Sequence, residues 1–182
     1  LYTKSDIDVA LETLALNKKL ILKDQRVTMP NIYHSEYKAA NKLSYIMDFK
    51  IDEIDVDEAR HTIKEIEKSF DINYSDKQRT SILNSITEKV SIITGGPGTG
   101  KTTIVKGIIA LYKEMYDYKN FSEYEDGEYP IKLAAPTGRA AKRMADTSGI
   151  EAKTIHRMIG WGQDTEADEI LDNEIDAELI II

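Results

Sequence analysis

Apolar residues recur at helical spacing over the first seventy positions, then give way to short apolar runs bounded by glycines. Ile7, Ala10, Leu11 and Leu14 repeat at steps of three and four behind Ser5, a residue suited to cap a helix, and Asn17 can end that helix. LILKDQRVTM, residues 20–29, reads as a short strand, a turn at Asp24-Gln25 and a second strand that stops before Pro30. From Ser35 onward, Tyr37, Ala40, Leu43, Ser44 and Met47 fit a second helix. Val56, Ala59, Ile63, Ile66 and Phe70 fit a third, with its charged face turned to water. Helix, hairpin and helix predict a small helical or winged-helix-like module, placed with its linker helix at residues 1–72.

Past residue 73 the pattern changes. Val90–Thr94 is a β-branched run leading into glycines, and TTIVKGIIALYKEMY after it has helical character. IKLAAP from Ile131 reads as a strand, GRAAKRMAD from Gly138 as a helix, and the closing Leu179–Ile182 as another buried strand. Strands alternating with helices predict an α/β fold with a parallel sheet over residues 73–182. The acidic, tyrosine-rich stretch between Tyr116 and Pro130 is expected to be a mobile surface loop.

Charge changes this picture more than composition does. With 41% hydrophobic and 31% charged residues the chain has an ordinary globular balance, and no apolar run approaches a membrane span. It contains no cysteine, so disulfides and thiolate metal sites are excluded and a reducing cytoplasm is the expected location. The net charge of −8 argues against a polyanionic partner only until it is resolved along the chain. Residues 163–178 hold eight acids and no Lys or Arg, and residues 117–130 hold five acids and one lysine. Between them, residues 131–160 hold six Lys or Arg against Asp146 and Glu151. Screening acts over about 8 Å at physiological salt, so a polyanion would meet this basic segment rather than the global charge.

The sharpest pattern is Gly95-x-x-x-x-Gly100-Lys101-Thr102, a full Walker A sequence between an apolar run and a helix. Glycines allow the tight turn that aims successive N–H groups at phosphate oxygens, and the following helix adds its positive end. Gly96, Pro97, Gly98, Thr99, Gly100, Lys101, Thr102 and Thr103 are therefore the candidate nucleotide-binding residues. Lys101 is suited to the β and γ phosphates and Thr102 to Mg²⁺, alongside phosphate and water; these two are the candidate catalytic positions. Upstream, Gln78 has two readings. Its amide suits an adenine edge, and Ser75-x-x-Gln78 is also a capping box. The two roles are compatible.

Downstream, LAAPTGRAAKRM (133–144) places Pro136, Thr137 and Gly138 where a strand meets a helix carrying Arg139, Lys142 and Arg143. A hydroxyl and free N–H groups there predict a second anion site, and KTIHRMIG (153–160) adds Thr154 and His156.

Gln78, GGPGTGKTT, APTGRAAKRM and TIHRMIG, in this order, resemble the RecD-like DNA helicases of superfamily 1. PTGRAA followed by TIHR is the specific part; the Gly-Pro-Gly-Thr-Gly-Lys-Thr loop is shared with AAA-type remodelling ATPases. The resemblance implies a partial RecA-like motor domain using ATP and Mg²⁺, moving 5′→3′ on single-stranded DNA or at a single-strand/duplex junction, in repair or recombination. It implies that Pro136, Thr137, Gly138, Arg139, Lys142, Thr154 and His156 contact DNA. In that family an Asp-Glu pair directly follows an apolar strand like Leu179–Ile182, whereas Asp176 and Glu178 precede it. The chain is accordingly expected to be the front of a longer motor, inactive as a hydrolase by itself.

Overall fold

The computed structural model describes residues 2–51, 53–125, 128–162 and 174–182. Two compact units result, Leu1–Lys50 and Ile51–Ile182.

The first unit contains α1 (Lys4–Leu16), a hairpin of β1 (Ile21–Lys23) and β2 (Arg26–Thr28), and α2 (Pro30–Met47). Helix, hairpin and helix are as expected, but both helix starts differ from the sequence reading. Thr3, not Ser5, caps α1, because Asp6 completes a reciprocal capping box with it. α2 begins five residues before Ser35, because Pro30 occupies its first turn, where the missing N–H costs nothing. Neither helix carries a fully buried residue.

The second unit begins with α3 (Val56–Ser69), capped by Asp55, and α4 (Asp76–Thr87), capped by Ser75. α3 packs on α4 and on α5 (Lys101–Met115), burying Ala59, Ile63 and Ile66 in the main core. By packing it counts with this unit. A partly buried ion pair reinforces the joint. Glu67 on α3 accepts from Arg79 on α4 at 2.9 Å and from the Tyr74 N–H at 2.6 Å.

The sheet has three parallel strands in the order β4 (Ala152–Thr154), β3 (Ile131–Ala135), β5 (Leu179–Ile181). β3 lies in the middle and is almost wholly buried, as a central parallel strand should be. β4 was not anticipated, since a three-residue Ala-Lys-Thr strand has no apolar run to betray it. α6 (Gly138–Ser148) follows β3 and ends at Gly149 in a left-handed conformation with φ 75°. α7 (Ile155–Met158) follows β4 directly. The α/β class and the parallel sheet are as expected; one strand is not. Val90–Thr94 has no ladder partner among the described residues, although Ile93 packs against the core while Ile92 is 83% exposed. An apolar β-branched run becomes a strand only when a neighbour takes its backbone groups, and among the described residues none does so for Val90–Thr94.

The tyrosine-rich insert also departs from expectation. Tyr129 is buried, and the rings of Tyr118, Phe121 and Tyr124 meet it edge-on at 5.1–6.4 Å. The Tyr118 hydroxyl donates to Glu178 just before β5. Aromatic packing thus ties this acidic segment to the sheet. Asp126 and Gly127 and most of the acidic stretch from Gln163 lie outside the described residues.

Candidate nucleotide and DNA-contact site

The Walker residues form a turn ending at Gly100, whose φ of 80° and ψ of 21° only glycine adopts at little cost. α5 starts at the next residue. Side chains of Thr3, Asp55, Ser75, Thr137 and Thr154 cap α1, α3, α4, α6 and α7, but Gly100 gives α5 no capping side chain. The first backbone donor bonded within the helix is Ile104 N, to Gly100 O at 2.9 Å. The N–H groups of Lys101, Thr102 and Thr103 are thus presented outward at the positive end of a fifteen-residue helix. A Cβ added at Gly96 or Gly98 would meet nothing within 4 Å, so the loop has open space beside these two residues. These features fit a polyphosphate.

Lys101 Nζ donates to the carbonyls of Gly95 and Gly96 at 2.6 and 2.7 Å, which folds the ammonium over the loop's own backbone. Thr99 Oγ1 donates to Gly96 O at 2.9 Å and stiffens the turn from inside. Thr102 is exposed beside Lys101.

Gln78 is brought against this loop. Its Oε1 accepts from Ser75 N at 2.8 Å and its own N–H reaches Ser75 Oγ at 3.4 Å, so the capping box exists. Its Nε2 then donates to Thr99 O at 3.4 Å, twenty-one residues away. The cap fixes the first turn of α4, and the amide joins that turn to the Walker loop.

The second group of candidates assembles at the other motifs. Parallel register sets Ala135 beside Thr154 at the C-terminal ends of β3 and β4. Pro136-Thr137-Gly138 and Ile155-His156 therefore leave the sheet side by side, although eighteen positions separate Gly138 from His156 in sequence. Arg139, Lys142 and Arg143 are all exposed on α6. Both threonine hydroxyls cap the helices that follow them. Thr137 Oγ1 accepts from Ala140 N at 3.3 Å and Thr154 Oγ1 from Arg157 N at 3.2 Å, each fixing the turn its helix starts from. One residue escaped the sequence reading. Trp161 is 55% exposed, its ring lies edge-on to His156 at 5.9 Å, and its backbone N–H donates to the His156 carbonyl at 2.8 Å. Its signal was present: the chain has one tryptophan, five positions past that histidine.

A parallel α/β unit with an uncapped, glycine-lined turn leading into a helix belongs to the P-loop nucleotide-binding class. The model of the family described as "AAA domain" matches residues 78–182, and the chain belongs to that family. Within it the chain is RecD-like. It is 32% identical over 87 residues to the ATP-dependent RecD2 DNA helicase of Deinococcus radiodurans, covering 47% of this chain and 10% of that one. It is 41% identical over 73 residues to the RecBCD enzyme subunit RecD of Haemophilus influenzae, covering 40% and 10%. An uncharacterized protein of Methanocaldococcus jannaschii is 29% identical over 161 residues, covering 79% of this chain and 12% of that protein. The chain thus spans about a tenth of the length of these relatives.

Proposed function

We propose that this chain is the ATP-gripping and DNA-contacting part of an ATP-dependent DNA helicase or translocase, moving 5′→3′ on single-stranded DNA in repair or recombination. The observation that carries the reading is the register of β3 and β4, which brings PTGRAAK and TIHR to one end of the sheet of a domain that also holds the Walker loop. A motor that steps along any sequence should grip phosphate and sugar rather than base edges, and Arg139, Lys142 and the exposed N-termini beside Thr137 and His156 suit that task. Direction and pathway follow from resemblance to the RecD proteins.

In this reading the N–H groups of Gly98 to Thr103 and the Lys101 ammonium hold the phosphates, Lys101 exchanging its two loop carbonyls for them. Thr102 would be this chain's ligand toward Mg²⁺, which would offset charge on the phosphates. Bound ATP with Mg²⁺ supplies the phosphoanhydride whose cleavage drives stepping. Gln78 reads the adenine edge with the amide valences that Ser75 and Thr99 leave free. Division into a helical module at residues 1–72 and a motor part at 73–182 is retained as a functional proposal, with α3 serving as a brace for the motor part.

The test is ATP hydrolysis by the full protein with and without single-stranded DNA. Stimulation by DNA, lost in Lys101→Ala, is expected. Hydrolysis indifferent to DNA would overturn the motor reading, pointing instead to a remodelling ATPase. Binding of nucleotide with no hydrolysis under either condition would leave a non-catalytic P-loop module.

A further inference from the structure

The hairpin of the first unit concentrates positive charge. Lys18, Lys19, Lys23 and Arg26 lie on or next to it against one acid, Asp24. Its turn residues Asp24 and Gln25 both take positive φ, 50° and 61°, the pattern of a type I′ turn. The register then sets Lys23 directly opposite Arg26. Like charges at that spacing disfavour the pairing, and Arg26 forms no ion pair among the described residues. The arrangement gains stability from an anion bridging the two.

Aromatic rings adjoin these cations. On the first two turns of α2, Tyr33 and Tyr37 lie with ring planes within 7° of parallel and centroids 6.5 Å apart, and Tyr37 is 59% exposed. Lys23 links the two groups. Its Nζ donates to the Tyr33 hydroxyl at 3.2 Å and stands 5.6 Å from that ring's centroid. Cations and solvent-facing π surfaces thus form one continuous patch.

We propose that this patch is a second contact for single-stranded DNA, with Lys23 and Arg26 on phosphates and Tyr37 stacking on a base. Unpaired bases expose the faces that stacking needs, whereas a duplex hides them. The patch uses neither the Walker loop nor α6; only the choice of DNA over another single-stranded polyanion rests on the function proposed above.

The experiment is fluorescence-anisotropy titration of a labelled oligo(dT) with the 182-residue protein across a range of salt, without nucleotide. Lys23→Ala/Arg26→Ala should weaken binding and make the log–log salt slope shallower by about 1.4, two charges at about 0.7 each for a single strand. Tyr37→Ala should weaken it about tenfold, and Tyr37→Phe should restore it, since stacking needs the ring and not the hydroxyl. Circular dichroism checks that these exposed substitutions leave the helices intact. Wild-type affinity and slope in the double variant, failure of Tyr37→Phe to restore binding, or tighter binding to duplex than to oligo(dT) would each overturn the proposal. Arg139→Ala is run in parallel. Loss there alone rejects the hairpin contact and leaves the motor reading standing; loss in the hairpin variants alone does the reverse.

Discussion

Gly100→Ala probes the joint between the Walker loop and α4. At φ 80° the backbone is left-handed, which costs an L-residue about 1–2 kcal/mol. The new Cβ would also stand 2.5 Å from Gln78 Nε2, so the amide must leave Thr99 O. That bond is long, at 3.4 Å, and its loss adds only a few tenths. The total is about 1.5–2 kcal/mol, and a unit of this size shifts its Tm by roughly 3–5 °C per kcal/mol, hence about 5–10 °C. Thermal unfolding followed by circular dichroism measures it. Gly96→Ala is the control, because nothing lies within 4 Å of its added Cβ, and its Tm should stay within about 2 °C of the parent. Calorimetric titration with ATP should show both variants binding more weakly, Gly96→Ala without the stability loss. Gly100→Ala melting with the parent, or Gly96→Ala falling equally far, would refute the reasoning.

Three further outcomes follow from the packing and the charges. Gly107→Ala places a Cβ 2.6 Å from both Ile82 Cδ1 and Tyr74 Oη. Overpacking of about 1–3 kcal/mol then outweighs the gain of about 1 kcal/mol in helix propensity, so urea midpoints should fall; adding Tyr74→Phe, which removes a buried hydroxyl that has no hydrogen-bond partner among the described residues, should recover part of the loss. Alkaline pH should destabilise the fold. Burial pushes Tyr112 up to about 12 from 10.0, and burial followed by the bond to Glu178 pushes Tyr118 up as well. The folded state holds these protons more tightly than the unfolded one, so this stability is complete below pH 10 and is lost as pH rises toward 12. Urea midpoints at pH 9 and 11 should differ, and by less in Tyr118→Phe; equal midpoints would contradict the assignment. Arg139→Ala should weaken single-stranded DNA binding alike for all sequences and make the salt slope shallower by about 0.7; a sequence-specific loss would point to base contacts instead.

Local spacing determined much of this protein. The Walker glycines, the strand-to-helix turn before Arg139, the turn at Asp24-Gln25 and the faces of α3 and α5 can each be read from residues a few positions apart, because phosphate cradles, caps and amphipathic faces are made by near neighbours. Tertiary structure decided what those faces meet. The apolar face of α3 does not say that it packs on α4 and α5, and the tyrosines of the acidic insert do not say that Tyr129 gathers them onto the sheet. Val90–Thr94 has every local mark of a strand, yet pairing requires a neighbour, and among the described residues it meets none in the sheet. The same register, Ala135 beside Thr154, unites two motifs that in the sequence are only consecutive. Hydrogen-bond partners far apart along the chain depend on the path of the whole backbone, which no window of neighbouring residues contains.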